Sequence, residues 1–168
     1  MHGVLLIVSD NHAGLMAARQ ARLPGVPWQR CQFHLQQNAG HYVPRIDMRT
    51  QVASNLRAIF NSPDRTEAER HLQIAVKKYE KTAPKLSAWM SQNVPEGLTI
   101  FSFPEAHRRR LRTSNMLERI NREIKRRTRV ATLFPNEASL VRLVSAVLME
   151  ISEELETEKI YLRMENSG

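Results

Sequence analysis

Apolar residues along this chain follow two periodicities. Residues 4–8 (VLLIV) form an unbroken apolar run bounded by polar residues, which predicts a strand over 3–8 that is buried on both faces. Residues 98–103 alternate between apolar and small polar side chains, and this pattern predicts a second strand. Because a doubly buried strand needs neighbours in a sheet, only two strands indicate part of a larger α/β domain.

Most other apolar residues recur at helical spacing. The predicted helices cover 14–22 and 31–43, begin at Asp47, Ser62, Pro84 and Asn115, and end with one over about 136–158. Asp47 and Ser62 are expected to cap their helices, with Pro63 as the first helical residue of the second. A basic loop is expected between the second strand and Asn115. The predicted fold class is therefore mixed α/β and mostly helical.

The formal net charge of +8 is concentrated in one segment. Residues 107–129 contain ten basic and two acidic side chains, so this segment accounts for the whole excess. A focused, arginine-rich patch is the footprint expected of a nucleic-acid partner, because the guanidinium group matches phosphate geometry. A solvated helix face without a partner is the alternative.

Several classes of protein are excluded by composition. Cys31 is the single cysteine and cannot form an intramolecular disulfide. The apolar stretches are shorter than the roughly 18 to 20 residues that span a bilayer, and the N-terminal residues do not have the pattern of a signal peptide. These features predict a folded, cytoplasmic protein without a membrane partner.

Two acidic residues are candidates for chemistry. Asp10 follows the first predicted strand, where open α/β sheets place catalytic groups, but it also fits a residue that shapes the turn. Glu118 lies one turn into the arginine-rich helix, where it also fits a capping box with Asn115 or an exposed pair with Arg122. In the functional interpretation, the two carboxylates hold Mg²⁺ in an arginine-lined groove.

Cys31 and His34 lie one helical turn apart. This spacing is half of a zinc site, but structural zinc usually takes four ligands and the chain has no second cysteine. Packing and hydrogen bonding are the preferred interpretation for both side chains.

Three segments, in order along the chain, resemble bacterial insertion-sequence transposases of the Mutator type. They are residues 9–15 (SDNHAGL), 24–34 (PGVPWQRCQFH) and 103–115 (FPEAHRRRLRTSN), the last followed by Glu118 and Asn121. The resemblance covers essentially the whole chain.

The resemblance implies a ribonuclease-H-like fold in which two Asp residues and one Glu hold Mg²⁺ ions. Asp10 matches the second Asp and Glu118 matches the Glu, so both are expected to be catalytic metal ligands. The helices over 47–93 match an insertion between these two residues. Cys31 and His34 match a Cys-x-x-His element with a structural or DNA-contacting role.

The resemblance also implies that the partner is DNA at insertion-sequence ends, and that the protein forms homo-oligomers in order to bring two ends together. The residues expected to contact DNA are Arg108, Arg109, Arg110, Arg112, Asn115, Arg119, Arg122 and Arg126. A non-catalytic DNA-binding remnant and an RNA-binding helical module are the alternatives.

The family's first Asp lies upstream of the first predicted strand and has no counterpart in this sequence. The chain, 1–168, is therefore expected to be the C-terminal part of a catalytic domain. Alone, it is expected neither to cleave nor to join DNA, because the metal ions would lack a shared ligand. The unpaired edge of the first strand also predicts low stability or association.

Overall fold

The computed structural model describes residues 3–130 and 136–157. The chain divides into two compact units, Met1–Ser114 and Asn115–Gly168. The first unit holds a two-stranded sheet and six α-helices in its described part, and the second holds two α-helices. This confirms a mixed α/β, mostly helical fold. None of the described helices has the length and apolarity to cross a bilayer.

The small sheet lies near the start of the first unit. Strand β1 (Ile7–Ser9) pairs in parallel with β2 (Trp28–Arg30), and helix α1 (Ala13–Arg22) forms the crossover between them. The first strand is thus shorter than predicted, and its three residues are only half-buried rather than buried on both faces. In the described part of the chain β1 pairs with one strand only.

The predicted second strand is wrong. Residues Thr99–Ser102 form a 3₁₀ turn, and the second strand is instead β2, which was not among the predicted elements. The reason is a buried network of side-chain amides. The backbone oxygen of Gly97 accepts hydrogen bonds from Nε2 of Gln29 and of Gln32, each over 2.8 Å. Gln29 Oε1 in turn accepts from the backbone nitrogen of Ile100 over 2.8 Å. Side chains therefore bind the backbone groups that a neighbouring strand would otherwise pair.

Four helices and their connecting turns form the core of the first unit. They are α2 (Gln32–Ala39), α3 (Arg49–Phe60), α4 (Arg65–Tyr79) and α5 (Pro84–Asn93). Leu35, Leu56, Ile59, Leu86 and Met90 are at most 1% exposed. The apolar spacing that predicted these helices marks their buried faces, and Pro84 begins α5 as expected.

Two of the predicted helix caps are wrong. Asp64, not Ser62, caps α4, because its carboxylate accepts from the backbone nitrogen of Glu67 over 2.8 Å. The Ser62 hydroxyl donates to the backbone oxygen of Ala58 over 3.0 Å, at the end of the preceding helix. Asp47 lies in the 3₁₀ turn Ile46–Met48 and accepts from Arg45 instead of capping α3.

The predicted basic loop before Asn115 is also wrong, because most of it is helical. Helix α6 (Glu105–Leu111) contains its three consecutive arginines. The backbone oxygen of Arg112, just beyond α6, accepts from the backbone nitrogen of Gln32 over 2.9 Å. This bond attaches the end of the first unit to the start of α2.

The second unit is a pair of helices, α7 (Asn115–Val130) and α8 (Glu137–Thr157). The start of α7 at Asn115 is confirmed, and α8 agrees with the predicted long helix apart from residue 158, which lies outside the described residues. The two helices pack against each other, and Arg127 of α7 forms an ion pair with Glu150 of α8.

Candidate nucleic-acid interface

One side of α7 carries a row of basic side chains. We define the basic face of α7 as Arg122, Lys125, Arg126 and Arg129 together with Glu118 and Asn121. These positions recur at spacings of three and four, so they fall within about 140° of the helix circumference. They line an open depression of about 560 Å³. Four cations beside a single carboxylate give this face a strongly positive potential.

The opposite side of α7 is used for packing. Ile120 and Arg127 lie about 140° and 160° away from Lys125 on the helix circumference, and Ile124 lies about 100° away. Arg127 pairs with Glu150 of α8, and this contact lowers the pKa of the Glu150 carboxyl. Because α8 lies on that side, the basic face of α7 is turned away from the helix packing inside its own unit.

The cations on the basic face differ in their partners. Arg126 Nη2 donates to Glu123 over 2.9 Å, and this hydrogen bond is the main cause of the lowered pKa of Glu123. Arg122, Lys125 and Arg129 are exposed and form no ion pair with any residue that the structure describes. Exposed cations without intramolecular partners can contact phosphate without first breaking an ion pair.

Four of the arginines expected to contact DNA lie in the first unit, and Arg108 is the most constrained of them. Its Nε donates to the backbone oxygen of Phe103 over 2.9 Å, and its Nη1 to that of Pro63 over 2.6 Å. The guanidinium carbon lies 5.3 Å from the centre of the Phe101 ring. These contacts give Arg108 a structural role inside the unit, while DNA contact by this residue stays a prediction.

The other three arginines of this segment are placed differently. Arg112 Nη1 donates to Asn61 Oδ1 over 2.8 Å, which ties the residue after α6 to the end of α3. Arg109 and Arg110 are exposed on α6. In the second unit, Arg119 is exposed on α7. Asn115 is the first residue of that helix, and its side chain lies outside the described part of the structure.

Asp10 lies directly after β1, at the carboxyl end of the sheet. One of its carboxylate oxygens, Oδ1, accepts from the backbone nitrogen of Asn11 over 2.7 Å. Its backbone oxygen accepts from the Ser9 hydroxyl over 2.9 Å, and Ser9 Oγ accepts in turn from Trp28 Nε1 over 2.9 Å. The turn-shaping interpretation and a role for the remaining carboxylate oxygen are therefore compatible.

Cys31 and His34 are held near the sheet. Cys31 is fully buried, and its sulfur accepts from the backbone nitrogen and the hydroxyl of Ser114 over 3.4 and 3.5 Å. His34 is half-buried and contacts the Phe33 ring edge to face, with ring centres 5.5 Å apart. Both side chains are thus packed against their surroundings at the start of α2.

The oxygen donors of Asp10 and Glu118 fit Mg²⁺ in type, because that ion binds through one or two carboxylates together with waters and substrate phosphate. Asp10 belongs to the first unit and Glu118 to the second. Within 3–130 and 136–157, no group of three His, Cys, Asp or Glu side chains is arranged to hold a metal ion.

Three residues of the basic face were expected neither as DNA contacts nor as metal ligands. Lys125 and Arg129 follow Glu118 and Arg122 at helical spacing, and Asn121 lies one turn after Glu118. The signal that could have found them is this spacing, counted from Asn115 as the start of the helix. Total charge alone did not separate them from Arg108 or Arg127.

The chain is similar to known proteins over nearly its whole length. A sequence model described as transposase, Mutator family, matches residues 1–158. The chain is 60% identical over 162 residues to the transposase for insertion sequence element IS406 of Burkholderia multivorans, which covers 96% of this chain and 42% of that protein.

Two more distant relatives carry similar descriptions. The transposase for insertion sequence element ISRM5 of Rhizobium meliloti is 37% identical over 166 residues, covering 99% of this chain and 42% of that protein. The transposase for insertion sequence element IS256 in transposon Tn4001 of Staphylococcus aureus is 30% identical over 160 residues, covering 92% and 40%. The chain thus spans about two fifths of the length of these curated relatives.

Proposed function

Because the chain belongs to the Mutator family of transposases, we propose that it supplies a DNA-binding surface to an enzyme that moves an insertion sequence. The observation that carries this proposal is the basic face of α7. It presents exposed cations on the side of the helix turned away from α8. Cations arranged in this way bind the phosphate backbone and release its counterions, without regard to sequence.

The proposal extends to the chemistry of the whole transposase. Asp10 and Glu118 are proposed to hold Mg²⁺ with further ligands from the rest of the enzyme and from substrate phosphate. When bound, Mg²⁺ activates the attacking hydroxyl and stabilises the leaving oxygen in phosphoryl transfer. The chain's own contribution is to position these carboxylates: the bond from Asn11 to Asp10 orients one, and helix α7 carries the other.

A ribonuclease-H-like domain with a helical insertion over 47–93 is proposed as the framework. The parallel pairing of β1 with β2 across a helical crossover supports it, since the carboxyl ends of parallel strands are where such sheets place ligands. The packed helices α3, α4 and α5 occupy most of the proposed insertion. Assembly into homo-oligomers is part of the same proposal.

A salt titration of DNA binding tests the first part of the proposal. The probe is a fluorescently labelled DNA duplex, and its affinity for the chain is measured by anisotropy between about 50 and 300 mM salt. Arg122, Lys125 and Arg129 are replaced together by Ala. Because each lost phosphate contact reduces the logarithmic salt slope by about 0.9, the slope should fall by up to about three.

A matched triple variant controls for net charge. Lys77, Lys81 and Lys85 are exposed residues of the first unit, and their replacement by Ala removes the same three charges. The control should keep nearly the full affinity and slope of the original chain. If both triple variants weaken binding equally, the total charge binds DNA and the assignment to α7 is wrong.

Cleavage is tested with the same chain in the presence of Mg²⁺ or Mn²⁺. Since the proposal takes further metal ligands from the rest of the enzyme, the chain alone is expected to bind the duplex without nicking it. Metal-dependent nicking that disappears in Asp10→Asn and Glu118→Gln would overturn this expectation and assign cleavage to the chain alone.

A further inference from the structure

Asn121 is the one uncharged side chain on the basic face of α7, among the residues that line its depression. It lies one turn after Glu118 and one turn before Lys125, and Arg122 is its immediate neighbour. Cations on such a face fix the position of a duplex through its phosphates, but they carry little sequence information by themselves. An amide at this position can instead form hydrogen bonds with the edge of a base.

The surroundings of Asn121 do not explain its presence structurally. The side chain is exposed, and it forms no hydrogen bond with any residue in the described ranges. Asn is a weaker helix former than Ala, Lys or Arg, because its amide competes for backbone groups outside the helix. In the middle of a 16-residue helix, an exposed Asn lowers helix stability, and no hydrogen bond to a described residue offsets that loss.

The geometry of α7 suits entry into a DNA groove. Sixteen helical residues extend over about 24 Å, and the major groove, about 12 Å wide, admits an α-helix. Arg122 and Arg126 lie toward one edge of the basic face and Asn121 toward the other. When Arg122 and Arg126 contact the phosphates at one wall of the groove, Asn121 points about 100° to 140° away from them on the helix circumference, toward the base edges.

We infer that Asn121 reads an adenine in the major groove of the DNA bound by α7. The amide matches adenine because its oxygen accepts from the N6 amino group while its nitrogen donates to N7. This inference rests on the proposed function, since it needs α7 to be the DNA-binding helix. It adds sequence preference, which the cations alone do not provide.

A binding selection tests the inference. The full chain is incubated with a pool of duplexes that contain a randomised central segment, and bound DNA is sequenced. The chain should enrich adenine at a defined position. Asn121→Ala should reduce that preference by about 5- to 150-fold, the range for one bidentate base contact, without changing the salt slope. Lys125→Ala should reduce the slope by about one and leave the preference intact.

An atomic substitution in the DNA makes the test sharper. In the best selected duplex, 7-deazaadenine replaces the preferred adenine and removes the N7 acceptor. The original chain should lose affinity for this duplex, whereas Asn121→Ala should bind both duplexes equally. Asn121→Asp, which is nearly isosteric, should lose the adenine preference because a carboxylate cannot donate to N7.

The possible failures are distinguishable. If Lys125→Ala leaves the salt slope unchanged, α7 is not the DNA-binding helix and the proposed function fails. If the slope falls but Asn121→Ala keeps the adenine preference, or the original chain shows none, the inference alone is overturned. If the original chain binds the 7-deazaadenine duplex as tightly as the selected duplex, the inference is also overturned. Circular dichroism of each variant confirms that the exposed substitutions leave the helices folded.

Discussion

The guanidinium of Arg108 donates from Nη1 to the backbone oxygen of Pro63, 45 positions earlier in the chain, over 2.6 Å. Further bonds reach the backbone oxygens of Phe103 and Phe101, over 2.9 and 3.4 Å. One arginine therefore joins the turn before α4 to the segment that precedes α6. In this setting its charge satisfies backbone oxygens of the first unit.

This arrangement predicts that Arg108→Gln destabilises the first unit. Hydrogen bonds from a charged donor contribute about 1.5–3 kcal/mol each. The shorter Gln side chain can keep some but not all of the three bonds, so we expect the unfolding free energy to fall by about 1–3 kcal/mol. The measurement is urea unfolding followed by tryptophan fluorescence. Arg109→Gln is the matched control, because Arg109 is exposed on the same helix. Equal losses in the two variants would contradict the structural role of Arg108.

Gly97 provides a second test of packing. An ideal Cβ at this position would lie 2.6 Å from Leu35 Cδ1 and 3.1 Å from Phe60 Cε1, inside the core of the first unit. Gly97→Ala should therefore cost about 1–3 kcal/mol of unfolding free energy, the range for overpacked cores. The midpoint of thermal unfolding is the readout.

Gly40→Ala is the control for Gly97. Nothing lies within 4 Å of a Cβ added at Gly40, and its backbone is helical. Because Ala loses less conformational entropy than Gly on folding, this variant should be neutral or more stable by about 0.5–1 kcal/mol. A Gly97→Ala variant as stable as Gly40→Ala would show that Leu35 moves aside without cost.

The helices were more predictable from sequence than the strands, for a physical reason. Helical spacing of Leu56, Ile59, Leu72 and Leu86 is a local pattern, and the same residues are buried in the core. Strand β2 has only three residues. Gln and Arg are residue types typical of exposed segments, so the sequence does not indicate that Gln29 and Arg30 are buried beside distant partners. Arg30 Nη1, for example, donates to Asn93 Oδ1 over 2.9 Å and to Glu96 Oε2 over 2.8 Å.

The candidate site divides in the same way. Helix α7 and its start at Asn115 follow from local signals, and so does the side of the helix on which Lys125 and Arg129 lie. The role of Arg108 does not follow from sequence, because it depends on a backbone oxygen 45 positions away. The number of arginines in segment 107–129 does not distinguish Arg108 from Arg122, although the two residues have different surroundings.

The amide network around Gly97 predicts the effect of Gln29→Leu. The substitution leaves the backbone nitrogen of Ile100 without its 2.8 Å acceptor in a buried environment. A buried unpaired amide costs about 1–3 kcal/mol, which should appear in urea unfolding. Gln51→Leu, at an exposed position of α3, should change stability by less than about 0.5 kcal/mol. Similar losses for both would mean that water replaces the Gln29 side chain.

The ion pair between Arg127 and Glu150 predicts a pH dependence for the packing of α7 against α8. The hydrogen bond from Arg127 lowers the folded-state pKa of Glu150 below its ordinary value of 4.5. A carboxyl group with a lowered folded-state pKa stabilises the folded state above its unfolded pKa. This stabilisation is lost as the pH falls through the folded-state pKa. Acidification below about pH 4.5 should therefore loosen the helix pair, while changes above about pH 6 should have little effect.

Glu150→Gln tests this dependence. Amide hydrogen exchange in α8, corrected for the intrinsic effect of pH, should show weaker protection than the original chain at neutral pH and a smaller decrease on acidification. Glu80→Gln, at an exposed site of the first unit, serves as the control and should retain the original dependence in α8. If Glu150→Gln keeps the full pH dependence, the lowered pKa of Glu123 beside Arg126 and Arg127 is the alternative source, and Glu123→Gln should then remove it.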